Sequence, residues 1–312
     1  MNTQLFKYAA EVARTGSITQ AADNLYMAQP NLSKAIKELE DTLGITIFKR
    51  TPKGVVTTPK GAEFLSYAKN VLLQIDQIES LYLPESSDRQ QFSISIPRVS
   101  YIATAVTRFV STLDYMQEID VNVQETNAMQ TISNIEEGKF DLGVIRYKLA
   151  YENYFMDFLA QKEIKYEPIW EFEYLAVMNK DHPLAQRDEV LYNELKDYTQ
   201  IAHGDLSVPY LPPSEFKRQD FSQCVNKRIY VYERCSQFDL LTHVPSTYMW
   251  VSPIPQELLD RYGLVQRVCK LENNRQRDLL IYPQGYALGK LDRRFMDKLY
   301  EVKNEIAFTE YR

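Results

Sequence analysis

The chain of 312 residues is 45% hydrophobic and 25% charged, enough for two or three globular domains, with no apolar run near the roughly 18 residues a membrane span requires. Its three cysteines, Cys224, Cys235 and Cys269, are odd in number and unpaired in spacing, which argues against a disulfide framework or a zinc site; they are expected to be bystander thiols. The net charge of −6 speaks against a nucleic-acid partner only until its distribution is read: the first 60 residues hold eight Lys/Arg against five Asp/Glu, +3, and the remainder carries −9.

In chain order, Leu5, Phe6, Ala9, Val12 and Ala13 recur at helical spacing, so residues 2–14 are predicted as an amphipathic helix ended by Gly16. Ser17-Ile18-Thr19-Gln20 fits a capping box, opening a short helix with Ala21, Ala22 and Leu25 inward. After a turn over 26–28, Pro30 sits where a missing N–H costs nothing and opens a third helix. Leu32, Ile36, Leu39 and Leu43 form its buried stripe and Gly44 its C-cap. The outward N-terminal face carries Gln29, Asn31, Ser33, Lys34 and Lys37. Two short helices joined by a tight turn make a helix-turn-helix, whose second helix reads base edges in the major groove. Residues 45–49 and 55–57 are β-prone about Pro52-Lys53-Gly54, a hairpin or wing with Arg50 and Lys53 at its tip, placed for phosphate or the minor groove.

The run "GSITQAADNLYMAQPNLSKAIKELEDTLGITIFKRTPKGVVTTPKG" resembles the winged helix-turn-helix of LysR-type transcriptional regulators. The likeness rests on Gly16-Ser17, Ala21-Ala22, Leu25, Gln29-Pro30, Leu32-Ser33, Ile36, Leu39-Glu40, Leu43-Gly44, Phe48, Arg50, Thr58 and Gly61. It implies Gln29, Pro30, Ser33 and Lys34 near the bases, with Asn31 on the same face, and Lys37, Arg50 and Lys53 on the backbone of double-stranded operator DNA. Where the family often has Arg, this chain has Lys34, a point charge rather than a fork.

Next, Phe64, Ala68, Val71, Ile75, Ile78 and Tyr82 are spaced 4, 3, 4, 3, 4, a heptad seam suited to a helix–helix dimer. "LPESSDRQQ" then reads as a hinge. From Phe92 strands and helices alternate, which implies parallel βαβ units. The layout resembles the two-lobed, periplasmic-binding-protein-like effector domain of the same family. The expected organisation is α/β: a winged helix-turn-helix over 1–59, a long linker helix and hinge over 60–90, and an effector domain over 91–312. Lobe I is expected at 91–163 plus 268–312 and lobe II at 164–267, joined by crossing strands near 163–170 and 264–271. The resemblance further implies a homotetramer built as a dimer of dimers, and contact with the transcription machinery.

Ligands in open sheets sit at the carboxyl ends of strands, near helix N-termini. That selects Arg98, Val99, Ser100, Thr126, Asn127, Ala128 and Arg146 in lobe I, and Ile201, Ala202, His203, Arg234 and Ser236 in lobe II. Arg98 and Arg146 are suited to a carboxylate. Ala128 stands where the family commonly carries a hydroxyl.

There is no GxSxG, HExxH, P-loop or GxGxxG, and His182, His203 and His243 lack metal-ligand spacing. No enzyme is expected, and no cofactor beyond a small-molecule effector. The start of the chain lacks a basic-then-apolar leader, so a cytoplasmic protein with no membrane partner is expected. The competing reading is a solute-binding or catalytic α/β protein whose head serves only for oligomerisation; loss of DNA binding with rising salt separates the two.

Overall fold

A computed structural model of the chain describes residues 3–51, 54–82, 89–205, 208, 227–269 and 274–307. These form two compact units, residues 1–87 with 285–287, and the remainder.

The first unit contains α1 (Thr3–Thr15), α2 (Ile18–Asn24), α3 (Gln29–Leu43), β1 (Phe48–Thr51), β2 (Gly54–Thr57) and α4 (Pro59–Tyr82). The apolar stripes meet as their periodicity requires: Phe6, Ala9 and Val12 of α1 pack with Ala21 and Ala22, with Leu32, Ile36 and Leu39, and with Leu65 and Ala68 of α4. The Ser17 hydroxyl caps α2, accepting from the Gln20 amide at 3.3 Å. The reciprocal half of the expected capping box is not made. The Gln20 side chain donates instead to Asn24 Oδ1 at 3.0 Å, and Asn24 donates to Glu11 at 2.7 Å, tying α2 to α1. Gly44 ends α3 at φ +68°, a left-handed cap that favours glycine.

The wing starts later than its β-propensity suggests. Glu40 Oε1 accepts from the amides of Ile47 (2.6 Å) and Phe48 (3.0 Å), so this stretch is committed to α3 before β1 begins. Helix α4 crosses Ile47 closely. A Cβ at Gly61 would lie 2.2 Å from the Ile47 carbonyl oxygen, so only glycine fits. The heptad seam divides. Phe64 packs edge-on against Phe6 at 5.4 Å and Ala68 is buried, both in the unit's own core, whereas Val71 is exposed. The side chains of Ile78 and Tyr82 lie outside the described residues.

The second unit contains β3 (Arg89–Pro97), α5 (Ser100–Val110), β4 (Glu118–Thr126), α6 (Ala128–Glu136), β5 (Leu142–Lys148), α7 (Glu152–Gln161), β6 (Ile164–Glu173), β7 (Leu175–Asn179), β8 (Thr199–His203), β9 (Arg228–Val231), α8 (Cys235–His243), β10 (Thr247–Val251), α9 (Gln256–Tyr262), β11 (Leu264–Arg267), β12 (Arg275–Pro283) and α10 (Lys290–Ala307). Two five-stranded sheets result, in the orders β4-β3-β5-β12-β6 and β11-β7-β10-β8-β9. Strand β3 pairs in parallel with β4 and β5, and β8 with β9 and β10, the βαβ pattern expected. Phe92, Phe109 and Phe295 cluster with ring centroids 4.6–5.9 Å apart on one face of the first sheet.

The lobe boundary needs correction. Strand β6, expected to open lobe II at residue 164, pairs antiparallel with β12 from Ile164 to Glu173 and so belongs to lobe I. The chain crosses at Tyr174 between β6 and β7. Sequence alternation identifies a strand but not the sheet that completes its hydrogen bonds.

Candidate functional site

On the first unit, Pro30, Asn31, Lys34 and Lys37 are exposed on α3, and Gln29 and Ser33 are half-buried beside them. Ala28, in extended conformation, is the N-cap, so Gln29 and Pro30 open the helix. The wing is joined to this face. Arg50 Nη2 donates to the Ser33 hydroxyl at 2.7 Å, bringing together two residues 17 apart in sequence. Among the described residues no carboxylate pairs with Lys34, Lys37 or Lys49. Lys53 lies outside the described residues. Sequence reasoning missed Tyr26, which is 99% exposed at the α2–α3 turn with φ +52°. A large aromatic at a turn position was its only signal.

In the second unit a cleft of about 150 Å³ opens at the carboxyl ends of the strands of both lobes. It takes in eight of the expected residues: Arg98, Val99, Ser100, Thr126, Asn127, Ala128, Arg146 and His203. Others do not reach it. Ile201 is buried in the lobe II core with Val177 and Val231, because β8 runs on to His203 and only its last residue meets the cleft. Ala202, one position earlier than His203, also falls outside the lining. Arg234 Nη1 donates across the lobes to Glu125 at 2.9 Å. The Ser236 side chain lies outside the described residues.

The two arginines behave differently. Arg146 donates to Asp278 through Nε (2.7 Å) and Nη2 (2.6 Å), Tyr101 donates to the same carboxylate at 2.5 Å, and Phe172 lies 4.5 Å beneath the guanidinium. Asp278 is fully buried, so this pair braces β5 against β12. Arg98 reaches across the cleft. Its Nη1 and Nη2 donate to the Asp205 oxygens at 2.9 and 2.8 Å, and Asn127 Nδ2 adds a bond at 3.2 Å. Burial raises the Asp205 carboxyl, but the hydrogen bonds from Arg98 and Asn127 outweigh it and leave its pKa lowered. Burial and the neighbouring Arg98 push His203 down to about 4, so its ring is neutral at pH 7.

Four of the lining residues carry buried polar atoms without partners among the described residues: Arg98 Nε, Tyr147 Oη, His203 Nδ1 and Gln237 Oε1. Such atoms in a roomy cleft mark places for a ligand or water. No side chain caps α5 at Ser100; at α6, Asn127 Oδ1 accepts from the Gln130 amide at 2.9 Å. Tyr147, Tyr151, Phe155, Tyr174 and Trp250 supply aromatic walls, and Lys148 a third cation, while the described lining holds no Asp or Glu. All five of these aromatics were missed. The end-of-strand rule, carried past Arg146 to the end of β5 and applied to β10, points to Tyr147, Lys148, Val251 and Ser252. Among the described residues no group of three His, Cys, Asp or Glu is placed to hold a metal, and no helix is long and apolar enough to cross a membrane.

One chain thus joins a winged helix-turn-helix with an exposed basic face to a two-lobed α/β body with a polar-aromatic cleft. Residues 3–62 match the model of bacterial regulatory helix-turn-helix proteins of the LysR family, and residues 114–301 match the LysR substrate binding domain. The chain belongs to the LysR family. Similar proteins include the HTH-type transcriptional regulators YcgK of Bacillus subtilis (33% identical, 49% of this chain and 47% of that one) and CysB of Burkholderia cenocepacia (26%, 66% and 64%). The matches thus span about half to two thirds of these relatives' length. Among solved structures, a full-length OxyR variant from Pseudomonas aeruginosa aligns over 97% of this chain and 94% of its own, with TM-score 0.66 and 16% identity. ArgP from Mycobacterium tuberculosis aligns over 100% and 99%, with TM-score 0.63 and 17% identity. At such identities the likeness is one of fold.

Proposed function

We propose that this protein binds operator DNA through α3 and the wing and that a small-molecule carboxylate in the cleft controls the binding. The observation that carries the DNA reading is the row Lys34, Lys37 and Lys49, exposed and without carboxylate partners among the described residues, beside Arg50 held on Ser33. Cations left unmatched within a chain of net charge −6 suit an external polyanion. Gln29, Asn31, Ser33 and Lys34 are assigned to base edges with Pro30 fixing the helix entry, and Lys37, Arg50 and Lys53 to phosphate. The long helix α4 is assigned to a homodimer, and two dimers to a tetramer, giving operators partial two-fold symmetry. The protein is read as a cytoplasmic, non-enzymatic regulator without a cofactor, contacting the transcription machinery.

The Arg98 fork at the cleft, held on the partly exposed Asp205, beside walls of aromatic side chains, favours an anionic ligand with an apolar or aromatic body. Ser100, Thr126 and the start of α5 are assigned to its polar end. The ligand acts by binding one arrangement of the lobes better than another. Genome-wide recovery of DNA fragments on the purified protein at near-physiological salt is the test. A short set of sites sharing a partial palindrome supports the reading. No enrichment over random fragments, with and without metabolite extract, overturns it.

A further inference from the structure

The cationic seat at the mouth of the cleft is filled by the protein itself. Arg98 and Asn127 come from lobe I, at the carboxyl ends of β3 and β4. Asp205 comes from lobe II, just past the end of β8. A guanidinium fork closing on both carboxylate oxygens at 2.9 and 2.8 Å, with an amide N–H at 3.2 Å, is the donor set that would recognise a free carboxylate. His203 beside it is neutral and offers Asp205 no second cation. The pair also differs from Arg146–Asp278, which is sealed: Asp278 is 0% exposed, whereas the Asp205 side chain is 24% exposed and open to exchange. Arg98 Nε remains without a partner among the described residues.

We propose that Asp205 is a built-in carboxylate ligand: it occupies the seat of a carboxylate effector, draws the lobes together in its absence, and must be displaced when the effector binds. The proposal rests on reading the cleft as an effector site. Exchange of one carboxylate for another on the same fork is nearly balanced, so selectivity comes from the tether. A tethered group acts at an effective concentration in the millimolar range. A bare carboxylate therefore competes poorly, while one whose aromatic body also packs on Tyr147, Phe155 and Trp250 gains enough to displace Asp205.

The chain has two tryptophans, and Trp250 lines the cleft. In the full-length Trp170→Phe protein, Trp250 fluorescence therefore reports on the cleft alone. Titration with benzoate is expected to show at least tenfold tighter binding in Asp205→Asn than in its parent, with a smaller affinity for acetate in both. Adding Arg98→Met should abolish the gain. Without ligand, acrylamide should quench Trp250 more readily in Asp205→Asn; Asp205→Ala repeats each reading if the asparagine protein is unstable. Equal benzoate affinity in parent and variants, a gain that survives Arg98→Met, or no benzoate binding to either Asp205 variant overturns the proposal. The effector reading stands or falls separately, on whether metabolite extract changes operator binding by the wild-type protein.

Discussion

The α3–wing face of the head and the arginines of the body dispose of their charge in opposite ways, while Arg14 at the end of α1 is paired with Glu11. In the head, Lys34, Lys37 and Lys49 face solvent with no carboxylate partner among the described residues, and Arg50 spends one nitrogen on a neutral hydroxyl. In the body, Arg98, Arg108, Arg146, Arg234 and Arg277 each hold an internal carboxylate. Charge matched inside the chain fixes geometry; charge left unmatched serves a partner outside it. The segment difference of +3 against −9 is the sequence trace of that division.

The sharpest way to break this contrast is to unmatch a body arginine. Asp278→Ala strands the Arg146 guanidinium in a dry site, and denaturant unfolding should show a loss of about 3–5 kcal/mol. A loss below 1 kcal/mol would mean that Arg146 is solvated and free for a ligand. In the head, the Lys34→Ala, Lys37→Ala, Arg50→Ala triple variant should weaken operator binding about a hundredfold and flatten the slope of log affinity against log salt by about 2–3. Arg108→Ala, which breaks a body pair with Glu305, should leave that slope unchanged.

Acid should also separate the two regions, because all three histidines lie in the body. Burial pushes His182 to about 4 and burial with Arg98 pushes His203 to about 4, against an unfolded value near 6.5. The unfolded chain therefore takes up these protons first. The share of body stability carried by these two histidines should be full above pH 6.5 and fall by on the order of 5 kcal/mol as pH drops to 4, with the paired Asp205 carboxylate extending the decline below that. Urea midpoints at pH 7 and pH 4.5 measure it; an equal decline in the head would break the assignment. Gly61→Ala should cost the head about 3 kcal/mol, since the Ile47 backbone itself must move, with the body transition unmoved. Smallest, Ser17→Ala should cost about 0.5 kcal/mol, the low end for a cap, because the Gln20 half of the box is spent on Asn24.

The head was legible almost throughout, since its helices are set by local signals: the stripe Leu32, Ile36, Leu39, the cap Gly44 and the opening Pro30. Its errors were of pairing, as with Gln20, which chose Asn24, and the seam residues Phe64 and Ala68, which chose the head's own core. In the body the end-of-strand rule found Arg98, Asn127 and His203 but carried Ile201 along, because a one-residue uncertainty in where β8 ends turns a cleft residue into a core residue.

By itself the sequence determined the division into a basic helix-turn-helix and an acidic α/β body, because helical stripes, caps, alternation and charge balance are properties of near neighbours. Only the tertiary structure decided which sheet takes β6, that Asp278 claims Arg146, and that Asp205 closes on Arg98 from 107 residues away. Those choices join groups far apart in the chain, and they are fixed by which buried donor and acceptor remain to satisfy one another once the two sheets have formed.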